Sequence, residues 1–184
     1  MVLRMSLRLD RSKADHPEAR PTSHIPLTTQ PICRSFKVAT RVRIPLGALS
    51  VSGSSGTPLP KKLGVDESDV ICVVADPGNA RELIAPLPAA ATFGSTPQEA
   101  QIVVFFVTER RAFAQQIAAL GRAVFPDRSL WIAWPKRSSG VTTDMTDDVI
   151  REVALPLGLV DSKVCAIDAT WSGLRLVWRK ELRG

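Results

Sequence analysis

The chain has 184 residues, 45% of them apolar, which is enough for one buried core and too few for two ordinary domains. Its longest strongly apolar run, residues 102–107, is far shorter than the roughly 20 residues of a membrane span, and the first turns lack the apolar segment of a secretion signal, so we expect a cytoplasmic protein without membrane association. The net charge of +6 belongs to the first 60 residues, whereas the others hold 15 basic and 15 acidic side chains, and this balance disfavours nucleic-acid binding by the folded part.

The first 50 residues predict a disordered tail, because they are rich in Arg, Ser, Thr and Pro and show no helical or strand period. A basic nucleic-acid arm or a transit peptide is the functional alternative. Residues 42–45 (VRIP) also match what the T-arm consensus GTT-CGA-ATC-CC of a transfer-RNA gene would encode, and residues 37–39 (KVA) fit its variable loop. We therefore expect translation to begin at Val51, from a GTG codon, and one α/β domain to span residues 51–184.

The domain opens with a short helix, a buried strand and a second short helix. Residues 57–65 (TPLPKKLGV) predict a helix that ends at Gly64, where a left-handed cap is easily adopted. Residues 69–76 (DVICVVAD) form a short β-branched run, which is typical of a strand covered on both faces. A short helix is expected within residues 79–87, and at most a short strand at residues 91–93.

A second buried strand is predicted at residues 101–107 (QIVVFFV), and it leads into a longer helix. We expect Thr108 to be the N-cap of that helix and Glu109 to lie in its first turn. Apolar residues recur at intervals of four, three and four along it, so they should line one inward face. This stripe is Phe113, Ile117, Leu120 and Val124.

A third buried strand is predicted at residues 129–135 (SLWIAWP), followed by a long loop and a helix capped by Thr146. Asp147 and Asp148 would complement its dipole, and Gly158 would end it. Its inward stripe is predicted to be Val149, Ile150, Val153 and Leu157.

The chain ends with two further strands, at residues 160–168 and within residues 171–180. In the last strand, Leu174, Leu176 and Trp178 alternate with arginines, which indicates an antiparallel strand with one wet face. The alternation of strands and helices predicts a three-layer, Rossmann-like α/β fold with a mostly parallel sheet ending in an antiparallel strand. That ending is typical of methyltransferase-like Rossmann folds.

Four stretches carry a resemblance to a known family: "SGTPLPKKLG", "FFVTER", the block from "LWIAWPKRSSGVTTD" to "KVCAID", and "TWSGLRLVWRKEL". Together they resemble a family of small bacterial proteins described as a domain of unknown function (DUF 3052 type). The resemblance covers nearly all of residues 51–184, and members begin close to the "SGTPL" segment. It implies a methyltransferase-like fold by analogy and assigns no catalytic residue.

The residue types present exclude most catalytic designs. Residues 51–184 hold no His and no Tyr, so neither a Ser-His-Asp triad nor a His-rich metal site can form there. The three cysteines, Cys33, Cys72 and Cys165, are far apart in sequence and indicate no disulfide framework or zinc site. Cys72 and Cys165 are expected to be buried. The first strand-to-helix turn, "ADPGNA", has one glycine and no acidic residue follows the second strand, which disfavours a dinucleotide or S-adenosylmethionine site. No cofactor is specified.

The longest loop suggests an anion site. Turns after Asp76, Val107, Pro135 and Asp168 should all emerge at the carboxyl edge of the sheet, where open α/β sheets bind ligands. The loop at residues 135–144 (PKRSSGVTTD) brings two cations, several hydroxyls and a glycine to a helix N-terminus, which suits a small anion, with an aromatic wall from the neighbouring turn. The predicted ligand-binding residues are Lys136, Arg137, Ser138, Ser139, Thr143, Asp144, Asp168 and Trp171.

A structural interpretation of the same residues stays open. Ser, Thr and Asp before a helix are ordinary capping groups, a Lys-Arg pair is usually solvated, and Trp171 would plug one end of the core. Three functions follow as hypotheses: a module that binds an anionic or nucleotide-like ligand, a degenerate methyltransferase-like domain that binds a protein partner, and an enzyme that uses Lys136 or Asp144 as acid or base.

Overall fold

The structure is a computed structural model that describes residues 56–184. The tail predicted at residues 1–50 and the start predicted at Val51 lie outside the described residues. Four α-helices are described: α1 (Leu59–Leu63), α2 (Ala80–Ile84), α3 (Arg110–Ala123) and α4 (Asp147–Ala154). The strands are β1 (Val70–Val74), β2 (Thr92–Phe93), β3 (Ile102–Phe106), β4 (Ser129–Pro135), β5 (Leu159–Ala166) and β6 (Trp171–Trp178).

The strands form one six-stranded sheet in the order β2-β1-β3-β4-β6-β5. The pairs β1–β2, β1–β3 and β3–β4 are parallel, whereas β6 runs antiparallel to both of its neighbours, β4 and β5. The last strand, β6, thus lies between β4 and β5. The predicted α/β fold, with a mostly parallel sheet that ends in an antiparallel strand, is confirmed.

Helices cover both faces of the sheet, so the predicted three layers are present. On one face α3 and α4 pack through buried apolar side chains: Phe113, Ile117, Leu120 and Ile150. On the other face, α1 and α2 pack through Leu63, Ala80 and Ile84. All seven residues of β4 are buried, because this strand lies under both layers, and that is why its sequence is continuously apolar.

One hydrogen bond ties α1 to the sheet. The indole Nε1 of Trp131, on β4, donates to the carbonyl oxygen of Leu63 at 3.1 Å, inside the core. The helix ends at Gly64, whose φ of 79° is the left-handed conformation that glycine adopts without strain, as the sequence predicts.

The last two strands differ in burial because one is internal and one is at the edge. On β6, Leu174 and Leu176 are fully buried beneath α3 and α4, while Arg175 faces the opposite layer and is half-buried. The wet face expected for this strand is therefore only partly wet, since β5 pairs along its outer side. β5 itself is the edge strand, and its residues 161–164 are exposed around a register shift between Asp161 and Lys163.

Two burial predictions are wrong. Leu157 is 38% exposed instead of lying in the inward stripe, because α4 ends at Ala154 and Pro156, which lacks an N–H, stands in the short 3₁₀ turn that follows. Cys165 is half-buried, because it lies on the edge strand, whereas Cys72 is buried as expected. Within residues 56–184 no helix combines the length and the apolar character that crossing a bilayer requires.

Candidate functional site

The predicted loops do meet at one edge of the sheet. β1, β3 and β4 run parallel, so the turns that follow them leave from the same side. Pro135, at the end of β4, is paired with Trp171, at the start of β6, and this pairing brings the β5–β6 turn to the same carboxyl edge. The long loop after β4 therefore lies between two other turns.

The first half of that loop is bonded to the β5–β6 turn. The backbone N–H of Lys136 donates to the carbonyl of Thr170 at 2.8 Å, and its Nζ donates to the carbonyl of Asp168 at 2.5 Å. The backbone N–H of Ser139 donates to the carbonyl of Lys136 at 3.0 Å and closes a short 3₁₀ turn over residues 137–139, and Ser139 Oγ donates to the same carbonyl at 2.6 Å. The ammonium group of Lys136 thus already has one acceptor from the protein.

The second half of the loop caps α3. Thr143 Oγ1 donates to the carbonyl of Thr108 at 2.6 Å, and Asp144 Oδ1 accepts from the backbone N–H of Arg110 at 2.7 Å. The prediction that Thr108 is the N-cap is wrong: Glu109 takes that position and its side chain makes no capping bond. The capping acceptor comes from 34 positions further along the chain, where no local sequence signal reveals it.

Asp168 and Trp171 organise the neighbouring turn and the core beneath it. Asp168 Oδ1 accepts from the backbone N–H groups of Thr170 and Trp171 at 2.8 and 2.6 Å. The Trp171 ring is 6% exposed and packs edge-to-face on Phe106, with 5.0 Å between the ring centroids. Its contacts are those of a core residue, and it does not line the pocket described next.

A pocket of about 250 Å³ opens where β4 ends and α4 begins. Its walls hold two cations, two carboxylates and a hydroxyl-bearing helix cap over an apolar floor. The lining residues are Trp134, Pro135, Lys136, Arg137, Met145, Thr146, Asp147, Asp148 and Ser172. As predicted, Thr146 caps α4, with its Oγ1 accepting from the backbone N–H of Val149 at 3.2 Å.

The carboxylates of this pocket are already paired. Arg151 Nη1 lies 2.8 Å from Asp147 Oδ2 and 3.4 Å from Asp148 Oδ1, and its Nε lies 3.1 Å from Asp161 Oδ2. The hydrogen bond from Arg151 lowers the pKa of Asp147, and this outweighs the opposing effect of burial. Asp147 is therefore a carboxylate near neutral pH, and its charge is balanced from the helix side of the pocket.

The structure separates the predicted ligand-binding residues into two groups. Lys136 and Arg137 line the pocket. The others do not line it: Ser138 is exposed beside it, and four are used in hydrogen bonds of the loops, namely Ser139, Thr143, Asp144 and Asp168. The pocket is also lined by Ser172, Asp147 and Asp148. The sequence indicated the two aspartates only as part of a helix start, and it gave no indication for Ser172.

The turn after β1 does not fit S-adenosylmethionine. Asp76 Oδ1 accepts from the N–H groups of Gly78 and Ala80 at 2.8 and 3.0 Å, so a side chain takes the amides that a ligand would use. At the end of β2, where an acidic residue would hold ribose hydroxyls, Phe93 lies 5.1 Å beneath the Arg81 guanidinium. Among residues 56–184 no group of three or more His, Cys, Asp or Glu is placed to hold a metal ion.

Comparisons with known proteins identify no family. No family model matches the chain, and no curated protein matches it, so the resemblance to the DUF 3052 type stays a prediction. A protein described as a type 11 methyltransferase from Sulfolobus solfataricus shares 10% identity at a TM-score of 0.48, over 66% of this chain and 90% of that one.

Two further solved structures show weaker likenesses. The magnesium protoporphyrin IX methyltransferase of Synechocystis PCC 6803, solved with bound SAM, is 12% identical at a TM-score of 0.43, over 66% of this chain and 74% of its own. The fibrillarin pre-rRNA processing protein of Methanococcus jannaschii is 14% identical at a TM-score of 0.38, over 68% of this chain and 70% of its own. Because these TM-scores are below 0.5, the fold assignment rests on the strand order itself.

Proposed function

We propose that this domain binds a small anion in the pocket at the carboxyl edge, with Arg137 as its main contact. One observation carries the proposal: Arg137 lines the pocket, is exposed, and has no side-chain hydrogen bond or ion pair within the part of the chain described. The other charged groups of the wall already have partners in the protein. An oxyanion is the complementary partner for a planar guanidinium with free donors.

The charges around the pocket favour an anion over a cation. Asp147 and Asp148 are both bonded to Arg151, whereas Lys136 donates only to a neutral carbonyl. Two cations and two carboxylates line the pocket, and both carboxylates are bonded to Arg151, so among the lining charges Arg137 is the one left without a partner in the described residues. An ammonium group has three donors, so Lys136 can hold Asp168 and still donate to a ligand.

The size of the pocket limits the ligand. Drug-sized ligands and cofactors occupy roughly 300–1,000 Å³, and this pocket has about 250 Å³. A phosphate ester or a small carboxylic acid therefore suits it better than a whole dinucleotide.

The test is calorimetric titration of the protein with inorganic phosphate at constant ionic strength, with wild type and Arg137→Met compared. A charge-assisted hydrogen bond contributes about 1.5–3 kcal/mol, so the variant should bind at least about tenfold more weakly. Lys180→Met removes an exposed cation outside the pocket and should leave phosphate binding unchanged. The proposal fails if wild type shows no saturable heat, or if Arg137→Met binds as tightly as wild type.

A protein-binding role is the second candidate, and a different surface favours it. At the opposite edge of the sheet, Phe125 is 45% exposed, Leu182 is 48% exposed, and the Phe125 ring packs on Trp178 with 5.4 Å between centroids. A catalytically silent methyltransferase-like domain could dock a partner there. Affinity capture from cell extract should then retain a partner with wild type and lose it with Phe125→Asp. Thermal stabilisation by S-adenosylmethionine would instead favour a methyltransferase role.

A further inference from the structure

A second group of cations lies on the sheet face that α1 covers, away from the pocket. Lys163 on β5 is the cross-strand neighbour of Arg175 on β6, and Cys165 lies two residues further along β5, opposite Gly173. Lys163 Nζ donates to the carbonyl of Lys62, in α1, at 2.7 Å. One face of the sheet edge thus brings the Lys163 and Arg175 side chains and a thiol close to α1, which carries Lys62.

None of these three cations has a carboxylate partner within residues 56–184. The ion pairs of that region involve only two arginines, Arg110 and Arg151. Asp161, the acidic residue of β5, is bonded to Arg151 of α4, because the register shift between Asp161 and Lys163 leaves the two side chains on opposite faces. The positive charge on this face is therefore uncompensated by the described part of the protein.

Arg175 adds an independent indication that an acceptor belongs here. Its Nε is buried and has no hydrogen-bond partner. A buried N–H that finds no acceptor costs about 1–3 kcal/mol, more when the group is charged, so native proteins rarely leave one unsatisfied. Lys163, its neighbour, is exposed at the sheet edge, so a ligand can reach this lysine from solvent.

We propose that Lys62, Lys163 and Arg175 form a binding site for a small oxyanion, a phosphate or carboxylate group, on this face of the sheet. Arg175 supplies a guanidinium with an unpartnered Nε, Lys163 supplies an exposed charge at the rim, and Lys62 supplies a second, half-buried charge. The site shares no residue with the pocket at the carboxyl edge. The two proposals therefore stand or fall separately.

Cys165 serves as a reporter inside the cluster. Burial raises the pKa of its thiol, and the charges of Lys163 and Lys62 act in the opposite direction. A bound anion would cancel that cationic effect, leave less thiolate at a given pH, and slow alkylation. Cys72 is buried and gives an internal reference that should not respond.

The experiment follows iodoacetamide alkylation of the full-length chain near pH 8, read as modification of the Cys165 peptide by mass spectrometry. Inorganic phosphate is titrated against NaCl at constant ionic strength, with citrate as a parallel series. We expect the rate of Cys165 alkylation to fall and then level off as the phosphate concentration rises. A response to phosphate alone identifies a phosphoryl ligand, and a response to citrate alone identifies a carboxylate.

Variants separate specific binding from general screening. Lys163→Met, at an exposed position, should abolish the response, and Arg175→Met should weaken it; Lys180→Met, outside the cluster, should leave it intact. Arg137→Met should also leave it intact, which distinguishes this site from the pocket. Absence of a saturable response to either anion in wild type, or an unchanged response in Lys163→Met, would overturn the proposal.

Discussion

Asp144 is the residue for which the structure and the sequence suggest different roles, so its replacement is informative. Its carboxylate accepts from the Arg110 N–H at 2.7 Å at the start of α3. The first turn of that helix holds no acidic side chain and begins with two arginines, whose charges oppose the helix dipole. Asp144 is therefore the capping anion of a 14-residue helix, although it belongs to the loop after β4.

The expected loss follows from that contact. A missing N-cap acceptor costs typically about 1 kcal/mol, and a carboxylate near a helix N-terminus contributes a further 0.3–1 kcal/mol, roughly. Asp144→Ala should therefore destabilise the domain by about 1.5 kcal/mol. Asp144→Asn keeps an oxygen acceptor and loses only the charge, so it should cost about 0.5 kcal/mol. Because Asp144 is exposed, its freed partner can bond to water, and a larger loss is not expected.

Urea unfolding followed by tryptophan fluorescence measures both losses. The four tryptophans all lie on β4 and β6, so they report the centre of the sheet. Asp66→Ala is the control, since Asp66 is exposed and its carboxylate makes no hydrogen bond or ion pair in the described region. If Asp144→Ala unfolds at the same midpoint as wild type, or if Asp66→Ala costs as much, the capping explanation is refuted.

Two further changes test the core and an ion pair. Trp131→Phe removes the donor to the buried Leu63 carbonyl. The control is Trp134→Phe, because the indole nitrogen of Trp134 makes no hydrogen bond in the described residues. Urea unfolding should show that Trp131→Phe loses about 1–3 kcal/mol more stability than the control, and equal losses would contradict a stabilising role for the bond. Asp147→Asn tests how the ion pair with Arg151 contributes to stability at different pH values. Because the pKa of Asp147 is lowered in the folded protein, its contribution to folding stability is present above the ordinary value of 3.8 and is lost as the pH falls through the folded pKa. Thermal unfolding should therefore show a wild-type advantage at pH 6 that shrinks below pH 3.8 and with added salt; an advantage that grows in acid would contradict this sign.

The elements were predictable because their sequence signals are local. The run SLWIAWP is buried at every position, and β4 spans Ser129–Pro135 as predicted. Thr146 caps α4 because the residue types around it favour a helix start in any context. The order of the strands has no such signal: the alternation in β6 predicts an antiparallel strand but does not reveal that β6 lies between β4 and β5. That position depends on long-range pairing, and it is why Arg175 is half-buried and not wet.

The predicted site was only partly recoverable for a related reason. Hydroxyl and carboxylate side chains next to a helix satisfy backbone groups or a ligand with the same chemistry, so Thr143 and Asp144 look alike in either role. Which role applies depends on whether another segment offers a donor or acceptor, and here Arg110, at the start of α3, and Thr108, just before it, do so from 34 and 35 positions away. The polar groups that folding leaves without a partner are therefore more informative about ligands than the loop composition. By that criterion, binding should be sought first at Arg137 and Arg175. The composition of the loop indicated Arg137 as a ligand contact, whereas the alternation in β6 indicated Arg175 only as a solvent-exposed residue of a strand.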